Sequence, residues 1–243
     1  MSTTTRNFYL SILCGILFGI AWPVKGVTFL IFIALIPLLY IENSISQDNS
    51  KRKGTRLFVY SYLSFLIWNI ITTWWLFNAS FYGMLFAIIC NSLFYAIIFL
   101  FYHLAKRRLP IKSANILLIT LWLSFEKLHL FWDFSWTWLN LGNVFSEKIY
   151  WIQWYEYTGV FGGSLWVLIM NVWIFNILKK EQFEFSIKNC IDATIDTYKT
   201  IDFVINNAGI SSVTSVDDEN FENYWDDTLN VVLTGQVRLI RAS

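Results

Sequence analysis

The sequence is short of charge, of proline and of cysteine. Only 14% of its 243 residues are Asp, Glu, Lys or Arg, against 56% hydrophobic and 19% aromatic, and it has 3 prolines. Soluble domains carry about 25% charged and about 45–50% apolar residues. The shortfall excludes a typical water-soluble enzyme, a basic nucleic-acid-binding domain and a disordered chain, so no nucleic-acid partner is expected. The three cysteines, Cys14, Cys90 and Cys190, are scattered. That excludes a disulfide framework and a cysteine metal site. The length fits one domain or two.

What is present divides sharply. Residues 1–180 carry 14 Lys/Arg against 6 Asp/Glu, a net of +8, whereas residues 181–243 carry 4 against 11, a net of −7. Twelve of the 13 tryptophans precede the same cut. A break of this kind marks two regions of different physical class. The expected organisation is a membrane domain over 1–180 and a cytoplasmic fragment over 181–243.

A helix needs about 20 mostly apolar residues to cross about 30 Å of hydrocarbon. Six stretches qualify or come near, at about 8–22, 26–41, 57–77, 82–105, 114–130 and 160–178. The second contains Pro37, which a membrane helix tolerates when neighbours re-satisfy the backbone. The first two are short, and Trp22-Pro23-Val24-Lys25-Gly26 between them suggests a tight helical hairpin. No small-residue cleavage site follows the first run, which reads as a retained span and not as a signal peptide. Soluble core helices are the alternative, but too little polar surface exists to cover them.

The cations orient the spans. Arg6, the cluster Lys51, Arg52, Lys53 and Arg56, the cluster Lys106, Arg107, Arg108 and Lys112, and Lys179 with Lys180 all fall on one side of a six-pass chain. The other side receives Lys25, Lys127 and Lys148. The positive-inside rule then puts both ends in the cytoplasm.

The outer segment, about 128–159, is dense in aromatic rings. Interfacial Trp and Tyr account for part of them. They do not account for Asp133, Asn140, Gln153 and Glu156 set among the rings. A re-entrant or surface-lying segment lining a lipid-facing groove uses both kinds of residue. Glu126 and His129 stand one helical turn apart at the end of the fifth span. Ionisable groups near membrane depth are functional candidates, although snorkelling or a structural hydrogen bond is an equal reading. Without a third partner the two make neither a metal site nor a catalytic dyad.

Several motifs occur in order over about 170 residues. They are Ala21-Trp22-Pro23, Ile36-Pro37-Leu38-Leu39, Thr73-Trp74-Trp75 and Leu121-Trp122-Leu123-Ser124-Phe125-Glu126. Ser135-Trp136-Thr137-Trp138-Leu139-Asn140-Leu141-Gly142-Asn143 follows, then Gln153-Trp154-Tyr155-Glu156-Tyr157-Thr158-Gly159-Val160-Phe161-Gly162-Gly163-Ser164-Leu165-Trp166 and Asn171. This pattern resembles the membrane domain of apolipoprotein N-acyltransferases of Bacteroidetes type, with His129 where many members have Arg and Thr137 where many have Pro. The resemblance implies transfer of a phospholipid acyl chain to the N-terminal amine of a diacylglyceryl-cysteine lipoprotein. It also implies nitrilase-type chemistry in which a Cys nucleophile forms a thioester beside a Glu base and a Lys. None of the three cysteines stands in a nitrilase-like context, so no catalytic residue is assigned and the chain is expected to be inactive alone. The lipid-facing platform is assigned to Glu126, His129, Trp138, Asn140, Gln153 and Glu156. Membrane phospholipid and a lipoprotein substrate are the expected partners, and the bacterial inner membrane is the expected location.

Beyond residue 186 the pattern changes. Ile187, Ile191 and Ile195 mark an amphipathic helix over 187–198, residues 201–206 read as a buried strand, and a second helix follows from about 218 to 241. Asp202 to Ile210, including Asn206-Asn207-Ala208-Gly209, with Phe221, Trp225, Asn230 and Gly235, resembles an internal piece of a short-chain dehydrogenase/reductase. The resemblance assigns Asn206, Asn207, Ala208, Gly209 and Asn230 to a vestigial cofactor site. The glycine-rich turn that receives the cofactor pyrophosphate should lie about 80 residues upstream, and that place is taken by membrane helix. No bound cofactor is expected. The expected fold class is therefore an all-α six-span membrane bundle followed by a short α/β partial Rossmann fragment, joined near 180–187 as a chimaera. A membrane-anchored reductase and a noncatalytic scaffold or transporter-like bundle are the alternatives. Few charges lie inside the spans, which argues against an ion path.

Overall fold

Long apolar runs can enter lipid only when each backbone N–H and C=O is satisfied internally, which here means helices. The computed structural model describes residues 2–22, 25–48, 50–133 and 135–198, and all regular structure among them is helical. The α-helices are α1 (Thr3–Ala21), α2 (Ile36–Ser46), α3 (Lys53–Thr73), α4 (Phe81–Lys106), α5 (Ile111–Leu128) and α6 (Tyr155–Tyr198). Short 3₁₀ segments fill the connections at Thr28–Phe32, Trp74–Asn78, Thr137–Leu139, Leu141–Phe145 and Ile149–Trp151.

Among the described residues five helical stretches are long and apolar enough to cross a membrane, against the six expected. They are Thr3–Ala21, Thr28–Ser46, Lys53–Asn78, Phe81–Lys106 and Tyr155–Gln182. The stretch expected at 114–130 does form a helix, α5, but its 18 residues include Lys112, Glu126 and Lys127 and dilute its hydropathy. The second span also differs. Pro37 was expected inside a helix, whereas α2 starts at Ile36 and Pro37 occupies its first turn, where a missing N–H costs nothing. The span is thus a 3₁₀ turn, a break at Ile33–Leu35, and a helix.

That break is held from α6. The Asn171 carboxamide accepts from Leu35 N at 2.8 Å and donates to the carbonyls of Ile31 at 2.8 Å and Val167 at 2.9 Å. One buried side chain thereby satisfies backbone groups that an unbroken helix would pair by itself.

The core is an aromatic column across four helices. Phe18 stacks on Trp68 at 4.8 Å, Trp68 meets Tyr95 at 5.4 Å, and Tyr95 meets Trp122 at 4.6 Å. Small residues let α1 and α3 close on one another. A Cβ on Gly15 would lie 2.5 Å from the Ser64 carbonyl oxygen, and one on Gly19 would lie 2.7 Å from Ile71. Gly15 and Gly19 form a GxxxG pair, a spacing that brings membrane helices into close packing. Outward-facing positions are apolar too, including Phe8, Tyr82, Phe86, Ile116 and Trp173, as a lipid-facing surface requires.

This core belongs to Met1–Phe175, one of two compact units; the other is Asn176–Ser243. In α6 the one non-helical residue is Gly159 (φ 62°, ψ −168°), in the left-handed half of backbone space that glycine enters freely. Helical backbone runs on through 180–187, where a junction was expected, and takes in the helix expected at 187–198. The strand expected at 201–206, the helix from about 218, and Asn206, Asn207, Ala208, Gly209 and Asn230 lie outside the described residues. A partial Rossmann fragment therefore has no strand to stand on among the described residues, and the described fold is all-helical.

Candidate functional site

Two sets of helix ends meet: the start of α1 with the ends of α2 and α4, and the ends of α1 and α3 with residues 137–147. The first helix finishes, the third finishes and the fourth begins at the end that also carries the segment 128–154. This aromatic end contains most of the residues singled out in the sequence. The segment does not lie flat. Leu139, Leu141, Val144 and Phe145 enter the core, while Trp138, Tyr150 and Trp151 stay exposed.

Glu126 is fully buried in the last turn of α5. Its Oε1 accepts from Leu141 N at 2.8 Å and from Trp122 Nε1 at 3.2 Å. The Ser164 hydroxyl of α6 also faces it. Ser164 in turn accepts from Gly142 N at 2.9 Å, and the Tyr155 hydroxyl donates to the Gly142 carbonyl at 2.8 Å. Gly142 has to be small, because a Cβ there would sit 2.0 Å from the Val160 carbonyl oxygen. One carboxyl group therefore pins the re-entering backbone between α5 and α6, with no ion pair among the described residues.

His129 is 2% exposed. Its Nδ1 accepts from Trp132 Nε1 at 3.0 Å and from Trp136 N at 3.1 Å. Two donors on Nδ1 put the ring proton of the neutral form on Nε2. Asn140 is buried as well, and its Oδ1 has no hydrogen-bond partner among the described residues. Glu126 and His129 are thus buried supports of one segment, of which Asn140 is a buried member. Trp138, Gln153 and Glu156 are exposed. Trp138 packs edge-on against Trp75 at 5.6 Å, Gln153 Nε2 donates to the Ile149 carbonyl at 2.9 Å, and Glu156 occupies the first turn of α6.

A cleft of about 900 Å³ opens at this end. Gly19 and Trp22 from the end of α1, Thr73, Trp74 and Trp75 from the end of α3, and Thr137, Trp138 and Asn143 from the re-entering segment line it. Three motifs separated by up to about 120 residues in the chain meet there. A second cavity of about 400 Å³ lies between α4 and the segment, lined by Phe86, Cys90, Asn91, Phe94, His129, Trp132 and Trp136. Asn91 Nδ2 donates to Asn69 Oδ1 at 2.8 Å and ties α4 to α3 beneath it. Among the described residues no three His, Cys, Asp or Glu side chains group to hold a metal ion.

The sequence reading missed the opposite end. There Glu42 of α2 is fully buried; it accepts from Ser46 Oγ at 2.5 Å and His103 Nδ1 at 2.9 Å and is ion-paired with Lys106. Lys53 Nζ donates to the Ser46 carbonyl at 2.8 Å, and Arg56 pairs with Asp48. The signal was available: Glu42 directly follows an apolar run, and His103 falls inside one.

The family described as apolipoprotein N-acyltransferase N-terminal domain matches residues 14–173. The chain belongs to this family. Family members similar to it include the apolipoprotein N-acyltransferase of Chlorobaculum tepidum, 32% identical over 184 residues, which are 74% of this chain and 33% of that protein. That of Geobacter metallireducens is 25% identical over 182 residues, 72% of this chain and 34% of that protein. The chain spans about a third of the length of these curated relatives. The family region contains Trp22, Thr73, Trp138, Glu126 and Asn171, and thus both the cleft and its supports. A second family, described as short chain dehydrogenase, matches residues 163–243 and overlaps the first within α6. No solved structure matches.

Proposed function

We propose that this membrane chain is the lipid-facing platform of lipoprotein N-acylation. In this reading the aromatic end seats a phospholipid acyl donor and presents it for transfer to the N-terminal amine of a diacylglyceryl-cysteine lipoprotein. The observation that carries the reading is the cleft in which Trp22, Thr73-Trp74-Trp75 and Thr137-Trp138 meet. Indole rings offer an apolar body and a polar N–H, which suits a molecule with chains on one side and a headgroup on the other. Glu126 and His129 act one layer behind, holding the segment that forms the cleft wall, and Asn140 lies buried within that segment. Gln153 and Glu156 are assigned to its outer, water-facing rim.

The platform does not itself carry the thioester-forming group in this reading. Cys14 is fully buried in α1 with its thiol against Ser64 and the Leu38 backbone, which marks it as a packing group. The bundle crosses the bacterial inner membrane six times, α5 serving as the least apolar pass, and both ends of the crossing region face the cytoplasm. The charge placement supports this. The match over 163–243 supports a joined reductase piece, whose alternative activity would be NAD(P)-dependent reduction from a membrane anchor.

The test is reconstitution of the full chain in vesicles containing a phospholipid with a photoactivatable acyl chain. Labelling is expected at the cleft, falling at least fivefold in a Trp75→Ala/Trp138→Ala double variant. The unaided chain is expected to show no acyl transfer to a diacylglyceryl-cysteine peptide, and no shift in NADH fluorescence. Labelling that ignores the double variant, or a thioester formed by this chain alone, overturns the reading.

A further inference from the structure

We propose that a groove between α4 and α5, at the end of the bundle opposite the cleft, holds one resident anionic phospholipid that is not the acyl donor. The groove encloses about 700 Å³. Phe101, Leu104, Leu117 and Leu121 make its wall, and Arg107 and Arg108 stand at its mouth. Phe101 and Leu104 are half-exposed, so the wall is open sideways to lipid.

The two parts of the lining ask for different chemistry in one molecule. The wall accepts a hydrocarbon chain and offers no polar partner to anything else. The mouth carries two guanidinium groups that form no ion pair among the described residues. Their neighbour Lys106 is taken up by Glu42. Lys112 adds a third charge in the first turn of α5, a helix that starts without a side-chain cap. A free anion satisfies the arginines and leaves the wall bare. A neutral chain does the reverse. A zwitterionic headgroup brings an ammonium that the arginines repel. An anionic glycerophospholipid meets all three conditions, with its phosphate held by the planar donors of Arg and its chain along the wall. The site sits among the Lys and Arg loops, in the leaflet that basic segments face.

The experiment titrates the full chain, purified in neutral detergent, with dioleoyl phosphatidylglycerol, dioleoyl phosphatidylcholine or inorganic phosphate, and counts bound molecules by native mass spectrometry. One phosphatidylglycerol is expected to bind saturably, phosphatidylcholine at least tenfold more weakly, and phosphate alone not at all. An Arg107→Gln/Arg108→Gln variant should lose about 10–30-fold in phosphatidylglycerol affinity, near 1 kcal/mol per cation removed, and with it the headgroup preference. Leu117→Trp, which fills the groove and keeps the charges, should weaken binding as well. A Lys51→Gln/Arg52→Gln variant, changed in a different basic loop, should keep the preference. Equal binding of the two lipids, binding of phosphate alone, or an equal loss in the Lys51→Gln/Arg52→Gln variant overturns the proposal. Trp75→Ala/Trp138→Ala leaves this site intact, so its outcome is separate from that of the acyl-donor reading.

Discussion

The two ends of the bundle each bury a glutamate, and they neutralise it by opposite means. At the basic end Glu42 is met by a lysine and a histidine from α4. At the aromatic end Glu126 is met by a backbone N–H, an indole N–H and a serine hydroxyl, with no cation among the described residues. The first arrangement joins two helices that already have their backbone bonds. The second captures a loop that has none to spare, since Leu139 to Phe145 re-enters the core as short 3₁₀ turns. Charge pairing fixes helix to helix, and dipoles fix non-helical backbone where it passes through apolar surroundings. The end built on dipoles is also the one that opens a cleft.

Substitutions sharpen this contrast. The largest loss is expected from Glu42→Ala, which strands the Lys106 and His103 side chains in a buried site, at about 3–5 kcal/mol. Thermal unfolding in detergent measures it, and Glu42→Gln should fall nearly as far because the countercharge is gone. Asn171→Leu comes next. It leaves Leu35 N–H and Ile31 C=O unpaired at the break in the second span, at about 1–3 kcal/mol for each orphaned group. Glu126→Ala orphans two buried donors, Leu141 N–H and Trp122 Nε1–H, and should fall in the same range, whereas Glu126→Gln keeps an acceptor for Leu141 N–H and should cost about 1 kcal/mol or less. A Glu126→Gln loss as large as that of Glu42→Gln would erase the distinction between the two ends. The smallest effects are expected at Gln153→Ala and Glu156→Ala, within about 0.5 kcal/mol, because both side chains are exposed.

Much of this was readable beforehand, for a physical reason. Hydrocarbon demands long apolar runs, so α1, α3, α4 and the membrane part of α6 announced themselves within a few residues of their ends. Glu126, His129 and Asn140 were visible as polar groups in apolar company. Pro37 was visible but its role was not, because whether a proline sits inside a helix or starts one depends on Asn171, 134 residues away. Glu42 was passed over since the apolar run ended one residue earlier, and its partner His103 lies 61 residues on. The GxxxG pair in α1 went unread, because its meaning depends on a partner helix, α3, that the spacing does not name. The cleft was legible only as a list of aromatic motifs; their meeting is a property of the fold.

The central claim is that the basic loops and the aromatic segment lie on opposite faces of a bilayer. Single cysteines at Lys51→Cys and at Ser146→Cys, with Cys14, Cys90 and Cys190 changed to serine, test it with a membrane-impermeant maleimide on intact spheroplasts. Labelling of Ser146→Cys in intact cells, and of Lys51→Cys only after lysis, is the predicted result. Labelling of both positions from the same side would contradict the account.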